Sequence, residues 1–387
     1  MHVVGIVAEF NPLHDGHRYL IDEVKQNYPD SLLIAVMSGN FVQRGEPSIY
    51  DKWERSKVAV ENGIDLVVQL PTRFSNASSY FFAYGAVEIL NSLGVDLIAF
   101  GSEIGDQDKI LAIADVLHAN SSELIKYAVY MAKNGVSFPR ARDKFLRNRI
   151  GNLILSLDSK SCGDFILSPN DILGVDYILS SKAIGYEGSF FVVKRRGLEH
   201  NISASIIRDE FYSKQPELLK SLEDRFFSIL MSKLSEEIST ANSQRISKYD
   251  SELYNTLKKE WRKTGNIQDV ENSLVSKMHT RSRIRRFLVS LIIGLDIPKR
   301  SEDCGFNAIY PLAFNQRGAR YMKLVKNTSE QNISFLDGIN NNYRSLDNAL
   351  RSISEDEIRA TDIYNVLMSN DLYENCELVR KPQFIEM

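Results

Sequence analysis

The sequence predicts an α/β fold, a Rossmann-like doubly wound parallel sheet followed by a mainly α-helical C-terminal domain. Over the first hundred residues, short apolar runs alternate with segments of helical periodicity, which is the pattern of βαβ units. The runs are nearly continuous in apolar character, as expected of strands that helices cover on both faces. The chain has 387 residues. Because one domain typically takes roughly 100–200 residues, we expect two, spanning 1–215 and 216–387.

The strands of the first domain are predicted from their length and their β-branched content. They are His2–Phe10, Leu32–Ser38, Asp65–Leu70, Asp96–Phe100 and Ser189–Lys194. Apolar residues at three- and four-residue spacing predict helices between the first four, over His17–Asn27, Tyr50–Asn62 and Tyr80–Leu93. The stretch from Asp106 to Ser180 is mostly helical in pattern, and a further helix is expected from Ile206.

The second domain is predicted to be largely helical. Its helices are expected over Gln215–Asn242, Lys248–Lys263, Val270–Leu295 and Glu355–Met368, with a basic helix from Gln316. A short apolar strand, Ala308–Phe314, precedes that basic helix.

The composition is that of an ordinary folded protein, with 43% hydrophobic and 25% charged residues. The three cysteines are widely separated and have no metal-ligand spacing, which argues against a disulfide framework or a structural zinc site. The sequence shows neither a basic leader nor an apolar run long enough to span a membrane, for which about 18 residues are needed. We therefore expect a cytoplasmic protein with no metal site of its own and no membrane or obligate protein partner.

The net charge is −3, but the positive charge is concentrated in one part of the chain. Between Lys277 and Lys326 there are eleven Lys and Arg residues and three acidic ones. This excess favours a surface that binds the phosphate backbone of RNA. A solvated helix surface is the alternative. The candidate contacts are Lys277, Arg281, Arg283, Arg285, Arg286, Arg317 and Arg320.

Two histidines, His14 and His17, stand where the first strand gives way to a helix. This junction faces the carboxyl edge of the sheet, where free N–H groups and the helix dipole favour an anion. Gly16 lets the backbone approach a phosphate, and both histidines can donate hydrogen bonds as charge develops during phosphoryl transfer. A single histidine here would more often have a capping or packing role. The HxGH pattern after a first strand, however, is the signature of the HIGH-type nucleotidylyltransferase superfamily.

A second segment, Ile202-Ser203-Ala204-Ser205-Ile206-Ile207-Arg208, resembles the ISSTxIR motif of that superfamily. Hydroxyls at a helix start and a following arginine can hold the β- and γ-phosphates of a nucleotide. Taken alone, the segment would be read as an N-cap with a surface arginine. Ala204 departs from the motif and removes one hydroxyl. With this support, His14, His17 and Arg208 are the candidate catalytic residues.

Longer stretches resemble one family, the bacterial tRNA(Met) cytidine acetate ligases. They are Gly5–His17, Met37–Pro47, Phe100–Glu103 and Ser168–Gly174, and further similarity lies at Gly135–Arg142, Thr280–Arg286 and Pro311–Asn315. The resemblance covers most of the chain to about residue 326 and implies a domain of the HIGH nucleotidylyltransferase type. It implies that acetate is activated with ATP as acetyl-adenylate. The acetyl group would then pass to the wobble cytidine of elongator tRNA(Met), forming N4-acetylcytidine.

The resemblance also implies an ATP site. Its members are Val7, Ala8, Glu9, Phe10, Asn11, Pro12, Leu13, His14, Asp15, Gly16, His17, Arg18, Tyr19, Leu20, Gly101, Asn170, Arg195 and Ser205, with Arg196 as the alternative to Arg195. Magnesium is expected to accompany ATP. Glu103 and Asp106 have the hard oxygen ligands that magnesium prefers, although helix capping explains them better.

Asn40, Gln43 and Arg44 follow the second strand at the same sheet edge, so they are candidates to bind acetate or the adenylate. The alternative is a structural loop in which Gly39 and Gly45 set the turn. Two other functions stay open on residue chemistry alone. One is a nucleotidylyltransferase acting on a soluble phosphorylated cofactor precursor, and the other is a non-enzymatic RNA-binding protein.

Overall fold

A computed structural model describes residues 2–150, 167–195, 204–239, 250–295, 308–328, 334–336, 338–339, 343 and 346–387. Its largest sheet has seven strands, β1 (Val3–Ala8), β2 (Leu32–Ser38), β5 (Leu66–Leu70), β6 (Leu97–Ser102), β7 (Ser189–Lys194), β9 (Pro311–Phe314) and β11 (Gln383–Phe384). Their order in the sheet is β11-β9-β5-β2-β1-β6-β7. The five strands from β5 to β7 are parallel, which confirms the predicted doubly wound sheet.

Two short pairs lie beside this sheet. Strands β3 (Phe41–Val42) and β4 (Glu46–Pro47) form an antiparallel hairpin after β2. Strands β8 (Ala308–Ile309) and β10 (Ser334–Phe335) pair in parallel. The predicted strand Ala308–Phe314 is therefore divided between two sheets, with β9 continuing after β8.

Helices of the first part of the chain cover both faces of the sheet. They are α1 (Asp15–Asn27), α2 (Lys52–Glu61), α3 (Thr72–Ser75), α4 (Ser79–Ser92), α5 (Gln107–Ala119), α6 (Ser121–Lys133), α7 (Phe138–Arg149), α8 (Pro169–Ile184) and α9 (Ala204–Ser213). Helix α1 begins at Asp15, earlier than the predicted His17, because His14 caps it.

The later helices are α10 (Pro216–Ser239), α11 (Ser251–Glu260), α12 (Ile267–Leu274), α13 (Arg281–Ile293), α14 (Gln316–Thr328) and α15 (Asn348–Met368), and a 3₁₀ turn (Trp261–Lys263) follows α11. Among the residues described, no helix is long and apolar enough to cross a membrane. A separate hydrophobic cluster joins the helices α10, α11, α12, α13 and α15.

Strand β2 shows why the sheet is buried on both sides. Its residues alternate between two cores: Ile34 and Val36 pack with α4 and α8, whereas Ala35 and Met37 pack with α1 and α2. All seven residues of β2 are buried. This two-sided burial accounts for the continuous apolar runs in the sequence.

The prediction of one helix over Val270–Leu295 is wrong, because α12 and α13 are separate. The chain leaves α12 at Val275, whose ψ of 130° is extended. Ser276 then accepts the His279 backbone N–H at 3.1 Å, and Thr280 caps α13. Side-chain bonds to the backbone thus favour a turn over a continuous helix. Lys277 lies in that turn and not on a helix.

The C-terminal part of the chain returns to the first sheet. Strand β9 pairs antiparallel with β5, and β11 pairs parallel with β9. Tyr321 of α14 donates to the Leu93 carbonyl at 2.6 Å, at the end of α4. The domain boundary near residue 215 stays a prediction. Strands β9 and β11 follow that boundary in the chain but belong to the sheet whose other strands come before it.

Candidate active site

The two histidines are positioned by the first turn of α1. His14 is the N-cap residue, and its Nδ1 accepts the Gly16 backbone N–H at 3.0 Å. His17 reaches back so that its Nδ1 accepts the His14 backbone N–H at 3.3 Å. A neutral imidazole that accepts at Nδ1 carries its proton on Nε2. Each ring therefore has one N–H donor that the helix cap does not use.

Both imidazoles are neutral near physiological pH. Burial, followed by the charge of Arg195, lowers the pKa of His14 to about 4. Burial and the neighbouring His14 lower the pKa of His17 well below its ordinary value. The ring centroids are only 3.9 Å apart, so protonating both would place two charges side by side.

Cationic side chains surround this histidine pair. Arg18, Arg195 and Arg208 all act on the charge of His14. Arg208 is 7% exposed and donates from its Nη1 to the Asn11 carbonyl at 2.9 Å. The helix dipole of α1 adds to this positive field. The carboxyl edge of the sheet is therefore prepared for a polyanionic ligand.

Glu103 brings three of the predicted ATP residues together. Its Oε1 accepts Asn170 Nδ2 at 2.7 Å and lies 3.2 Å from Arg195 Nε. Arg195 in turn crosses Gly101, where a Cβ would lie 3.2 Å from Arg195 Cγ. Gly101, Asn170 and Arg195 thus form one wall at the ends of β6 and β7.

The remaining loop residues divide into those that build the loop and those that face the site. Phe10 is buried, has a φ of 45°, and stacks edge-on against His17 at 5.0 Å. Asp15 and Arg18 form an exposed ion pair at 2.9 Å. Asn11 is 1% exposed, and its Nδ2 has no hydrogen-bond partner among the described residues. This amide is a buried donor available to a ligand. The other predicted members belong to β1 or to α1 and its approach, namely Val7, Ala8, Glu9, Pro12, Leu13, Tyr19 and Leu20.

The second motif reaches the same edge from α9. Ser205 lies half-buried in the first turn of this helix, and Arg208 follows one turn later. Ile202, Ser203 and Arg196 lie outside the described residues.

The three acetate candidates do not share one environment. Asn40 is 2% exposed, its Oδ1 accepts the Lys52 backbone N–H at 2.9 Å, and its Nδ2 donates to Thr361 Oγ1. Both ends of its amide are engaged in the fold, as the structural alternative for Asn40 expects. Arg44 is exposed and acts on the charge of Glu9, so it belongs to the site edge. Gln43 lies between Asn40 and Arg44 in the chain, and its backbone N–H donates to Glu9 Oε1 at 2.9 Å.

The two carboxylates considered for magnesium have structural partners. Asp106 caps α5 by accepting the Lys109 backbone N–H at 3.2 Å, and Glu103 holds Asn170 and Arg195. Within the described part of the chain, no three His, Cys, Asp or Glu residues are placed to hold a metal ion.

The predicted RNA contacts fall on two opposite edges of the sheet. Helix α13 lies beside the hairpin β3–β4 at the carboxyl edge, where Arg286 donates to the Gln43 carbonyl at 3.1 Å. Arg317, in contrast, donates to the Ser31 carbonyl at 2.7 Å, just before β2 begins. Since β2 is seven residues long, the edges are separated by about 20 Å. The positive charge is continuous in the sequence but not in space.

Several of these cations also have acidic partners. Arg281 and Arg285 contact Glu271, and Arg283 Nε donates to Asp250 at 3.1 Å. Lys277 and Arg320 are exposed.

Sequence reasoning missed Arg55, which holds the site loops in place. It is 2% exposed, and its guanidinium donates to the carbonyls of Glu9, Ser38 and Gly39 at the ends of β1 and β2. Burial lowers its pKa to about 10. Its position on an ordinary amphipathic helix carried no signal of this function.

A model of the HIGH Nucleotidyl Transferase family matches residues 1–377. The tRNA(Met) cytidine acetate ligase of Thermoanaerobacter sp. (strain X514) is 32% identical, with 96% of each chain covered. That of Clostridium acetobutylicum is 33% identical, covering 88% of this chain and 91% of the relative. The chain belongs to the tRNA(Met) cytidine acetate ligase family. Its sequence resemblance is thereby confirmed over nearly the whole length.

A solved structure agrees with this family assignment. Thermotoga maritima TmcAL bound with alpha-thio ATP matches with a TM-score of 0.83 and 26% identity, over 100% of both chains. Its apo form matches with a TM-score of 0.82. The match extends through the last sixty residues, which the sequence motifs of the family left unassigned.

Proposed function

We propose that this chain is an ATP-dependent ligase that acetylates the wobble cytidine of elongator tRNA(Met), with His14, His17 and Arg208 as its catalytic residues. The observation that carries the proposal is the neutral, Nε2-protonated histidine pair at the sheet edge, in the electrostatic field of Arg18, Arg195 and Arg208. Full-length similarity to ligases of this name supplies the substrates.

The first step activates acetate. An acetate oxygen attacks the α-phosphorus of ATP, the bond to the β-phosphate breaks, and pyrophosphate leaves with its electron pair. The Nε2–H groups of His14 and His17 donate to the phosphate oxygens on which charge grows. Neutral imidazoles are suited to this because they donate without first having to bind a proton.

The arginines hold the leaving group and the adenylate. Arg208 and Arg195 approach from α9 and from the end of β7, so they clamp the polyphosphate from two sides. Magnesium is expected to arrive with the nucleotide phosphates, since Glu103 and Asp106 already have partners.

The second step forms an amide. The exocyclic amine of cytidine attacks the acetyl carbon, the bond from that carbon to AMP breaks, and the amine loses one proton. An anticodon loop presents an unstacked base at lower cost than a paired stem. The Lys277–Arg286 region lies at the correct edge of the sheet to contact such a loop.

The test separates the two half-reactions. Acetate-dependent exchange of labelled pyrophosphate into ATP is measured without tRNA, and acetyl transfer to tRNA is measured next. We expect exchange without tRNA, and His17→Ala should lower it by roughly a hundredfold or more while tRNA affinity changes little. His118→Ala is the matched control, since His118 lies in the last turn of α5.

Two results would contradict the proposal. Equal loss of exchange and tRNA binding in His17→Ala would remove its catalytic role. Absence of exchange in the wild type, with or without tRNA, would favour a nucleotidylyltransferase that acts on a soluble phosphorylated acceptor.

A further inference from the structure

A cleft of about 920 Å³ opens on one side of Arg208, and it shares only Arg208 and Ser205 with the ATP site described above. The hairpin β3–β4 and the helices α9, α10, α12 and α13 line it. Clefts that enclose small ligands are typically about 300–1,000 Å³, so it is large enough for a nucleoside.

Arg208 connects the cleft to the nucleotide loop. One end of its guanidinium donates to the Asn11 carbonyl at 2.9 Å, and its Nε lies 3.5 Å from Glu46 Oε1 in the cleft. Because a guanidinium is small and planar, Glu46 Oε1 and the Asn11 carbonyl are less than about 9 Å apart. A group bound in the cleft therefore lies next to the place where the adenylate is formed.

Glu46 is the carboxylate at this junction, and its contacts leave it able to accept further hydrogen bonds. Its Oε2 lies 3.4 Å from Arg285 Nη1, and its Oε1 contact to Arg208 is longer still. Both distances exceed the usual range for N–H···O bonds, which is about 2.7–3.2 Å. The side chain is 27% exposed, so a ligand in the cleft can reach it.

We propose that this cleft receives the unstacked cytosine of the RNA substrate and that Glu46 accepts a hydrogen bond from its exocyclic amine. The proposal rests on the function given above and names the residue that selects the acceptor. A carboxylate matches the N4 amino group of cytosine and repels the O4 carbonyl of uracil. The neighbouring Arg285 offers donors to the N3 and O2 acceptors of the same base edge.

Four more lining residues suit a nucleotide in a loop. Tyr212 gives an aromatic surface on which a base can stack, and burial raises the pKa of its hydroxyl to about 12, so the ring stays neutral. Arg44, Lys220 and Arg281 are exposed and line the same cleft, where they can contact the phosphates of flanking nucleotides.

The test compares Glu46→Gln with the wild type on anticodon stem–loop RNAs that have cytidine or uridine at the wobble position. The wild type should bind the cytidine RNA at least about tenfold more tightly. In Glu46→Gln this preference should fall towards unity, because an amide can donate to uracil O4. Single-turnover acetyl transfer should fall by roughly a hundredfold, far more than acetate-dependent pyrophosphate exchange.

Glu210→Gln is the matched control. This substitution also replaces one carboxylate by an amide, but on α9. Glu210 is exposed, pairs with Lys214, and does not line the cleft. It should keep both the cytidine preference and the transfer rate.

The outcomes separate this inference from the proposed function. If the wild type exchanges pyrophosphate and acetylates RNA while Glu46→Gln keeps the full cytidine preference, the assignment of Glu46 is wrong. If Glu46→Gln loses exchange as strongly as transfer, the cleft belongs to the adenylation step instead. If the wild type shows no acetate-dependent exchange, the proposed function itself fails.

Discussion

His14 and His17 show how one local cap determines the chemistry of a site. Each Nδ1 accepts a backbone N–H from the first turn of α1, which leaves Nε2 as the donor. Burial and the nearby arginines prevent protonation. The pair is therefore a fixed set of neutral donors in a positive field, which suits an anionic transition state.

The titration of His14 tests this account. Its pKa is lowered to about 4, so the ring should stay neutral through the range in which an ordinary histidine, with a pKa of 6.5, takes up a proton. As the pH falls, the unfolded chain protonates His14 near pH 6.5, before the folded protein does. His14 therefore makes its full contribution to the free energy of unfolding above pH 6.5. It is lost as the pH falls from 6.5 to about 4.

Nitrogen NMR on ¹⁵N-histidine protein measures both the tautomer and the pKa. We expect His14 to be protonated at Nε2 and to titrate near pH 4, and exposed His118 gives an internal comparison. His14→Gln should show a shallower dependence of unfolding free energy on pH between 4 and 6.5. A His14 signal titrating near 6.5 would contradict the assignment.

At the scale of elements, the hairpin β3–β4 links the nucleotide edge to the helical part of the chain. Gly45 has a φ of +75°, and a Cβ there would lie 2.3 Å from the Arg286 backbone nitrogen of α13. The same helix contributes Arg285, which contacts Glu46. The close approach of the hairpin to α13 therefore sets one wall of the cleft.

Gly45→Ala should disturb this approach. The substitution meets both an unfavourable φ and a backbone clash, so we expect the free energy of unfolding to fall by more than the roughly 1–2 kcal/mol of a left-handed residue alone. Gly135→Ala is the control, since Gly135 has a φ of +71° and a Cβ added there would meet no atom of the described residues within 4 Å. Chemical denaturation measures both. Equal losses would show that the contact with Arg286 contributes nothing.

The two basic regions belong to different elements and should behave differently. Lys277→Glu, in the turn before α13, should weaken binding of the anticodon stem–loop and reduce the salt dependence of its affinity by a slope of about 1. Arg320→Glu, on α14 near the opposite edge, makes the same change of charge and should have a smaller effect. Binding titrations at several salt concentrations measure both. Equal effects of the two substitutions would support the single RNA-binding surface that the sequence predicted.

At the scale of the whole molecule, the end of the chain closes the first sheet. Lys52 is 1% exposed at the start of α2, and its Nζ contacts Gln69 Oε1 at 2.7 Å and the carboxylate of Glu377. Burial raises the pKa of the nearby Glu357 to about 7. The buried Lys52 ammonium needs an anionic partner, and Glu377 of the C-terminal segment supplies it.

Glu377→Gln should therefore destabilise the entire fold. It leaves the Lys52 ammonium buried without an anionic partner at contact distance, which typically costs about 3–5 kcal/mol. Glu374→Gln makes the same change at an exposed position three residues earlier and should have little effect. Thermal and chemical unfolding measure the difference. An equally stable Glu377→Gln protein would show that this contact does not hold the C-terminal segment to the sheet.

The sequence by itself determined the doubly wound sheet with its strands β1, β2, β5, β6 and β7, and it identified the HxGH loop and Arg208 as site candidates. These depend on local periodicity and on residues close together in the chain. It also determined the family through motifs that keep their spacing. It did not determine the break between α12 and α13, where side-chain bonds to the backbone stop a helix that the apolar pattern would continue.

Only the tertiary structure decided which distant residues meet. It placed Arg55 under the loops, engaged Asn40 in the core, and separated Arg317 from α13 by the length of a strand. It also placed Glu46 between Arg208 and Arg285, and returned β9 and β11 to the sheet. The physical reason is that these contacts join segments far apart in the chain, and their formation depends on packing and burial that no local pattern encodes.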